Sequence, residues 1–508
     1  MKKQPFRILT LLLLLAFAAC TPGAATPAGS EAAPVEAAPT DAAAAPTAVP
    51  AEATAPPEAT APPEATAVPA PAFQVIGVAN RDQTQAGFYP ALAVGSTSAD
   101  TPATAWITWA ENVPLDTRQI FVSELVGGVL QPRGASLNIH QNVLAYSPSI
   151  TFAGENSAVP WVVWLEPSPG FGDVPNTFAS RFSVATGLWQ AAGQDRGDHE
   201  ASINSQTNRP ASGSVITGGS GDPTQPTAPW VVWEELGRLS NFTQLFVSKG
   251  IKDDTGIGGF IWQLVGELRH NDEPTLNVDP FRHALNATIV FAETANAVPW
   301  VTWHEEGAER AARIFTARGV ADAKAPGGFK WIFVPGCDPD ETACALNVNP
   351  LKDAKDAAMA AGSVTPGEAT VPWIAWAEIG PTGKWQIFVS RLDPSSRASF
   401  VNVGASLNVD PNQDARHPQI VFVGNVPYVS WLENDGSGNF RVHLRHLASD
   451  PQTGTWAQDS PANGFDAAPE LPNSGLVMAA GPDVLYLAWV EGDPLTVASH
   501  VVLASFRP

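Results

Sequence analysis

The stretch VPWVTWHEE, residues 298–306, gathers side chains that could do chemistry: two tryptophans three apart, then His304, Glu305 and Glu306. One reading is an aromatic clamp beside an acid pair, of the kind that two carboxyls in one cleft would make. The nine histidines add little. His443 and His446 are three apart, and on a strand such residues point to opposite faces, which spoils a shared metal. No GxSxG, HExxH, P-loop or dinucleotide fingerprint stands in the context its chemistry requires. Cys337 and Cys344, in GCDPDETAC, have no CxxC or spaced histidine pair beside them. In an exported chain they are expected to form a disulfide that pins a loop rather than a metal site.

The clamp is not unique to that stretch. It recurs as AWITWAE (105–111), PWVVWLE (160–166), PWVVWEE (229–235), PWIAWAE (372–378), PYVSWLE (427–433) and LYLAWVE (485–491). Its second tryptophan is Trp109, Trp164, Trp233, Trp303, Trp376, Trp431 and Trp489; its glutamate is Glu111, Glu166, Glu235, Glu305, Glu378, Glu433 and Glu491. Strand alternation puts the second tryptophan and the glutamate on one face and the first aromatic on the other. A buried carboxylate must be hydrogen-bonded or paired, and this one, just before a turn, points to backbone N–H groups of the turn or a neighbouring loop. Catalysis needs a carboxylate once or twice, not seven times, so the repeated set is read as structural. Only His304 and Glu306 belong to the fourth copy alone.

The elements that position these residues follow from the repeat. Motifs recur every 55 to 73 residues, a period of arrays and propellers. Unit 6 shows four short β-rich segments: HPQIVFVG, VPYVSWLEN, FRVHLRHL and one beginning TGTW, separated by Gly, Pro, Asn and Asp. Four strands per unit make one blade, and the fold class is all-β, a seven-bladed β-propeller. Unit 7 runs out of chain after VVLASF (501–506), while FQVIGVANRDQTQAGFYPALAV (73–94) lines up with FVNVGASLNVDPNQDARHPQIVF (400–422). The N-terminal strand is therefore expected to complete the seventh blade and close the ring, which removes open sheet edges. Asn80, Asn138, Asn204, Asn277, Asn347, Asn408 and Asn463 end the fourth strands and suit turns. A calcium ring from the neighbouring Asp82, Asp279 and Asp410 is the metal alternative. Calcium wants six to eight converging oxygens and no compact DxDxDG loop exists, so no metal and no cofactor is expected. Basic residues close several third strands, and hairpin counting sets Arg391 and Arg445 near Trp373 and Tyr428 for cation–π packing.

The first twenty residues, MKKQPFRILTLLLLLAFAAC, have a basic start, a short apolar run and small residues before a cysteine. The ending FAAC resembles the bacterial lipoprotein signal, which implies lipidation of Cys20; Phe17 stands where that pattern prefers leucine. Residues 21–72 are Ala, Pro, Thr and Glu, with APPEAT repeated outright, and read as a disordered tether. The organisation expected is thus signal peptide 1–20, linker 21–72 and propeller 73–508. The protein would sit outside the cytoplasm, lipid-anchored to the cell membrane or outer membrane of a bacterium, as a monomer. A net charge of −22 argues against nucleic acid as a partner.

In layout the four-strand units resemble propellers of the sialidase-like and lectin-like groups. The sialidase Asp-box, S-x-D-x-G-x-T-W, is echoed in SDPQTGTW (449–456), with Asp one place early, and more faintly in SVATGLW (183–189). The resemblance implies fold more than activity. The early Arg-Ile-Pro of a sialidase is replaced here by FYP (88–90), and of four tyrosines Tyr428 and Tyr486 occupy packing positions. Any site is expected at one rim of the channel, where the units differ: Phe88, Tyr89, Tyr146, Arg209, His283, His304, Arg416 and His417. The function expected is recognition or scaffolding through a carbohydrate or surface-protein ligand, without catalysis. The alternative is a sialidase-like glycoside hydrolase, which would show paired, unrepeated carboxylates near the channel mouth.

Overall fold

The computed structural model describes residues 71–508, apart from 115–116, 195–200, 239–240, 270–271, 294, 296, 308–309, 337–343, 469–470 and 494–498. Cys20, Cys337 and the signal lie outside the described residues. The chain enters as β1 (Ala72–Val78) and then lays down blade 1 as β2 (Gly87–Gly95), β3 (Thr104–Val113), β4 (Thr117–Val126) and β5 (Val129–Pro132). Blade 2 is β6 (Tyr146–Ala153), β7 (Val159–Ser168), β8 (Val174–Ser183) and β9 (Leu188–Ala191). Blade 3 is β10 (Ala211–Gly219), β11 (Ala228–Leu236), β12 (Thr243–Lys252) and β13 (Phe260–Leu264). Blade 4 is β14 (His283–Ala292), β15 (Val298–Gly307), β16 (Arg310–Ala321) and β17 (Phe329–Phe333). Blade 5 is β18 (Ala354–Gly362), β19 (Val371–Ile379), β20 (Trp385–Leu392) and β21 (Phe400–Asn402). Blade 6 is β22 (Ala415–Val423), β23 (Val426–Asn434), β24 (Phe440–Leu447) and β25 (Trp456–Gln458). Blade 7 is β26 (Asn473–Ala480), β27 (Leu485–Glu491) and β28 (His500–Arg507), finished by β1.

That last sheet runs β1-β28-β27-β26, with Phe73 opposite Phe506 and Val78 opposite Val502. The N-terminal strand closes the ring, as the alignment of 73–94 with 400–422 predicts. The innermost strands β2, β6, β10, β14, β18, β22 and β26 line the channel.

Tryptophan fills the wedges between blades. Twelve tryptophans, all from the second strands, are less than 2% exposed. Burying each is worth roughly 3 kcal/mol before entropy is subtracted. In blades 1 to 6 the second tryptophan of the motif packs on an aromatic of its own third strand, as Trp233 does on Phe246 at 5.5 Å. The first reaches the next blade: Trp106 meets Phe152, Trp230 meets Phe291 and Trp373 meets Phe422, all edge-on. Gly95, Gly219 and Gly362 make room for those phenylalanines, since an added Cβ would fall 2.5, 2.1 and 2.4 Å from their rings.

Each repeated glutamate is a three-point clamp. In blade 4, Glu305 accepts the indole N–H of Trp303 at 3.0 Å and the backbone N–H groups of Val278 and Asp279 at 2.6 and 3.1 Å. Those two N–H groups belong to the loop arriving from blade 3, so the carboxylate ties neighbouring blades together. The same three bonds recur from Glu111, accepting from Trp109, Arg81 and Asp82, to Glu491, accepting from Trp489, Ala467 and Ala468. In six of the seven loops an asparagine just before the N–H pair pins the same loop. Asn277 accepts the Leu245 N–H at 2.9 Å and donates to the Thr243 and Arg282 carbonyls, both at 3.1 Å.

Two readings need correction. Asn463 is exposed, and Asp466 holds the blade 6 asparagine position, directly before Ala467 and Ala468. A carboxylate cannot donate to the carbonyl five residues on, so Arg441 does it instead, bonding Asp466 at 2.7 Å and the Leu471 carbonyl at 2.8 Å. Arg445 does not face Tyr428. Asn434 pairs with Phe440, so the turn holds five residues rather than four. The added residue slips the register by one and brings His446 onto Tyr428, while Arg445 lies 5.9 Å from the ring of Trp431. Arg391 does sit across from Trp373, at 5.6 Å.

Candidate functional site

Every innermost strand breaks register near its start, where an extra residue bulges toward the channel mouth. In six blades the bulged residue is left-handed: Tyr89, Ser147, Asn286, Asp356, His417 and Gly475, with φ between 50° and 61°. Asn, Asp, His and Gly accept that conformation more readily; a Tyr or Ser there carries a cost of about 1–2 kcal/mol. A bulge re-aims one side chain while leaving the rest of the strand in place. The scaffold is thus constant around the ring while the side chain it presents changes from blade to blade. Beyond the bulges the channel wall is largely alanine, valine, isoleucine and methionine, and bulges and wall together line a cavity of about 750 Å³. That lies within the ~300–1,000 Å³ range of small-molecule sites.

The polar groups gather on blades 3 to 6. Glu234, buried at the cavity wall, accepts the Ser212 hydroxyl at 2.8 Å and the Asn286 backbone N–H at 2.6 Å. The Asn286 side-chain amide donates to Asp356 at 3.1 Å, and His417 Nδ1 stands 3.7 Å from the other Asp356 oxygen. One asparagine therefore joins two carboxyls, which lie no more than roughly 10–11 Å apart, the reach of one side chain and two hydrogen bonds. Burial pushes Glu234 above the usual carboxylate range, with the Ser212 and Asn286 bonds pulling it partly back. Burial likewise holds His304 below the ordinary imidazole value, and Asp356 opposes the shift.

The residues expected at the rim divide into two groups. Tyr89 and His417 line the cavity, each close to half exposed. His304 is buried in blade 4, its Nε2 4.0 Å from Glu306 and its Nδ1 without a hydrogen-bond partner among the described residues. Tyr146 is half-buried behind Tyr89. The others are engaged elsewhere. Arg209 bonds Glu273 at 2.7 Å and Glu235 at 3.1 Å, latching a loop of blade 2 to blade 3. His283 accepts the Thr243 N–H at 3.2 Å and packs on Phe242. Arg416 lies flat on Phe440 at 3.7 Å, and Phe88 is buried under Arg118 at 4.0 Å. Asp82, Asp279 and Asp410 each accept an N–H two residues on, inside three separate turns. Among the described residues no group of three or more His, Cys, Asp or Glu is placed to hold a metal ion. Cys344 is buried and disulfide-bonded.

No family model matches the chain, and no curated protein matches it in sequence. Among solved structures it is similar to a protein of unknown function from Dyadobacter fermentans, at 10% identity and a TM-score of 0.45, over 86% of this chain and 99% of that one. It is also similar to a Penicillium chrysogenum alpha-L-arabinanase complexed with arabinobiose, at 11% identity and a TM-score of 0.42, over 71% and 92% of the two chains. A Trypanosoma rangeli sialidase in complex with the inhibitor DANA follows at 12% identity and a TM-score of 0.40, over 74% and 56%.

Glu234, Asn286 and Asp356 are absent from the residues the sequence singles out. For Glu234 a signal exists. The residue before the repeated glutamate is Ala110, Leu165, Ala377, Leu432 and Val490 in five blades, and only His304 and Glu234 break that apolar column. Asn286 and Asp356 sit on bulges, where an extra residue disguises which side chain faces the channel.

Proposed function

We propose that the channel mouth binds a neutral carbohydrate, and that the propeller displays this site away from a membrane surface by a lipid on Cys20 and the tether 21–72. The observation that carries the reading is the chain Ser212–Glu234–Asn286–Asp356–His417 across the wall of a ligand-sized cavity. Hydroxyl-rich ligands are held by such closely spaced carboxylate, amide and hydroxyl groups, and the half-exposed ring of Tyr89 offers a face for the apolar side of a sugar. Charge supports a neutral ligand. Two carboxyls face the cavity, while the nearby cations are stacked on rings: Lys355 on Trp385 at 4.6 Å, Arg416 on Phe440 and Arg118 on Phe88.

The test is a glycan array probed with the full chain. Variants Asn286→Gly and Tyr89→Gly keep the left-handed backbone while deleting the side chain. Binding to neutral glycans that falls at least tenfold in both variants supports the reading. Preference for sialylated or uronic glycans, or binding indifferent to both substitutions, overturns it.

A further inference from the structure

The two carboxyls joined by Asn286 have unequal surroundings, and the difference matches a division of labour. Glu234 is on β11 of blade 3 and buried, and its two hydrogen-bond partners, the Ser212 hydroxyl and the Asn286 N–H, are uncharged. Asp356 is on β18 of blade 5, on a bulge that lines the open mouth beside the solvent-reached ring of His417. Blade 4 stands between them, and a whole residue of it, Asn286, spans the gap. Neither carboxyl repeats around the ring, unlike the seven clamp glutamates.

We propose that the protein hydrolyses a neutral glycoside in this cavity with inversion, Glu234 acting as general acid and Asp356 as general base. This rests on the carbohydrate-binding reading above. Water attacks the anomeric carbon and gives a proton to Asp356 as its oxygen bonds to that carbon. The glycosidic C–O bond breaks, its electron pair going to the leaving oxygen, which takes the proton of Glu234. The net change is one water consumed and one glycosidic bond replaced by two hydroxyls. Burial raises the Glu234 carboxyl above its ordinary value, the direction a general acid needs. Interposing Asn286 favours the wider carboxyl spacing of inverting enzymes, ~6.5–9.5 Å, over the ~5 Å of retaining ones.

The experiment incubates the full chain with neutral oligosaccharides and with phenyl and dinitrophenyl glycosides of neutral sugars, alongside matched sialic and glucuronic acid glycosides. Proton NMR reads the anomer first released. Cleavage of neutral substrates with inversion is expected. Glu234→Gln should lose at least ~100-fold on phenyl glycosides, whose leaving group needs a proton, and under tenfold on dinitrophenyl ones, which do not. Asp356→Asn should lose at least ~100-fold on both. Thermal melts of each variant identify any loss that comes from misfolding, and for such a variant Glu234→Asp or Asp356→Gly, which suits the left-handed backbone, replaces it. Retention of configuration overturns the role of Asp356, and equal losses on both leaving groups overturn that of Glu234. No cleavage of any neutral substrate, with array binding intact, sinks hydrolysis while the binding reading stands; loss of both sinks both.

Discussion

His443 is the blade 6 counterpart of the phenylalanines that pack on the second tryptophan elsewhere: Phe121, Phe178, Phe246, Phe315 and Phe388 hold that place in blades 1 to 5. Its ring stacks on Trp431 at 5.7 Å and is 4% exposed. Burial, with Arg445 adding to it, lowers this imidazole from 6.5 to about 4. Between those values the unfolded chain binds a proton that the folded chain does not, so stability rises with pH there and is lost as pH falls from 6.5 toward 4. At ~1.4 kcal/mol per pKa unit, the loss attributable to His443 is about 2 kcal/mol at pH 5 relative to pH 7.5. His443→Phe removes the titration and supplies the residue used by blades 1 to 5. Urea unfolding of both proteins at pH 7.5 and pH 5 checks it; with m of ~3 kcal/mol/M, the wild-type midpoint should fall by roughly 0.7 M more than that of the variant. Comparing the pH-induced shifts cancels any repacking effect of the larger ring against Gly464. Equal shifts in the two proteins would refute a buried, neutral His443.

Glu305→Ala leaves two backbone N–H groups and the Trp303 indole without their acceptor, and should lower unfolding free energy by about 3 kcal/mol or more in denaturant titration. Gly219→Ala drives a methyl into Phe291 and should destabilise by about 1–3 kcal/mol, whereas Gly336→Ala, with open space around it and no left-handed backbone, should cost less; thermal melts of the pair separate them. Deleting residues 73–82 exposes the edge of β28 and removes Asn80, so the whole propeller should lose cooperative melting, and an unchanged melt would refute closure by β1. Cys20→Ala should move the protein from the membrane fraction to the soluble fraction on cell fractionation; retention on membranes contradicts the anchor.

The blades were legible because their packing is periodic. Every unit needs an aromatic pair for the wedge, a glutamate for the incoming loop and an asparagine, or Asp466 in blade 6, to pin it, and a need met seven times leaves a pattern in one sequence. Ring closure was legible for the same reason, since the seventh outer strand had to be somewhere. The site was less so. Its residues break the repeat rather than make it, and Glu234 stands directly before the repeated Glu235, where PWVVWEE reads as one more copy of the motif. Asn286 and Asp356 are hidden by the bulges, because one extra residue inverts the inside–outside alternation from which facing is read. His304 was found by the same column that holds Glu234, the place where polar residues replace apolar ones in blades 3 and 4. Arg209, His283 and Arg416 vary between units for a different reason: each ties a loop or covers a ring peculiar to its own blade.

The most direct test of the channel-mouth site is a crystal structure of the protein soaked with the neutral oligosaccharide that binds best on the array. The account predicts sugar density in the channel mouth, with hydroxyls within hydrogen-bond reach of both Glu234 and Asp356 and one ring face against Tyr89. Density on the outer strands or between blades, with the channel mouth holding only water, would contradict it.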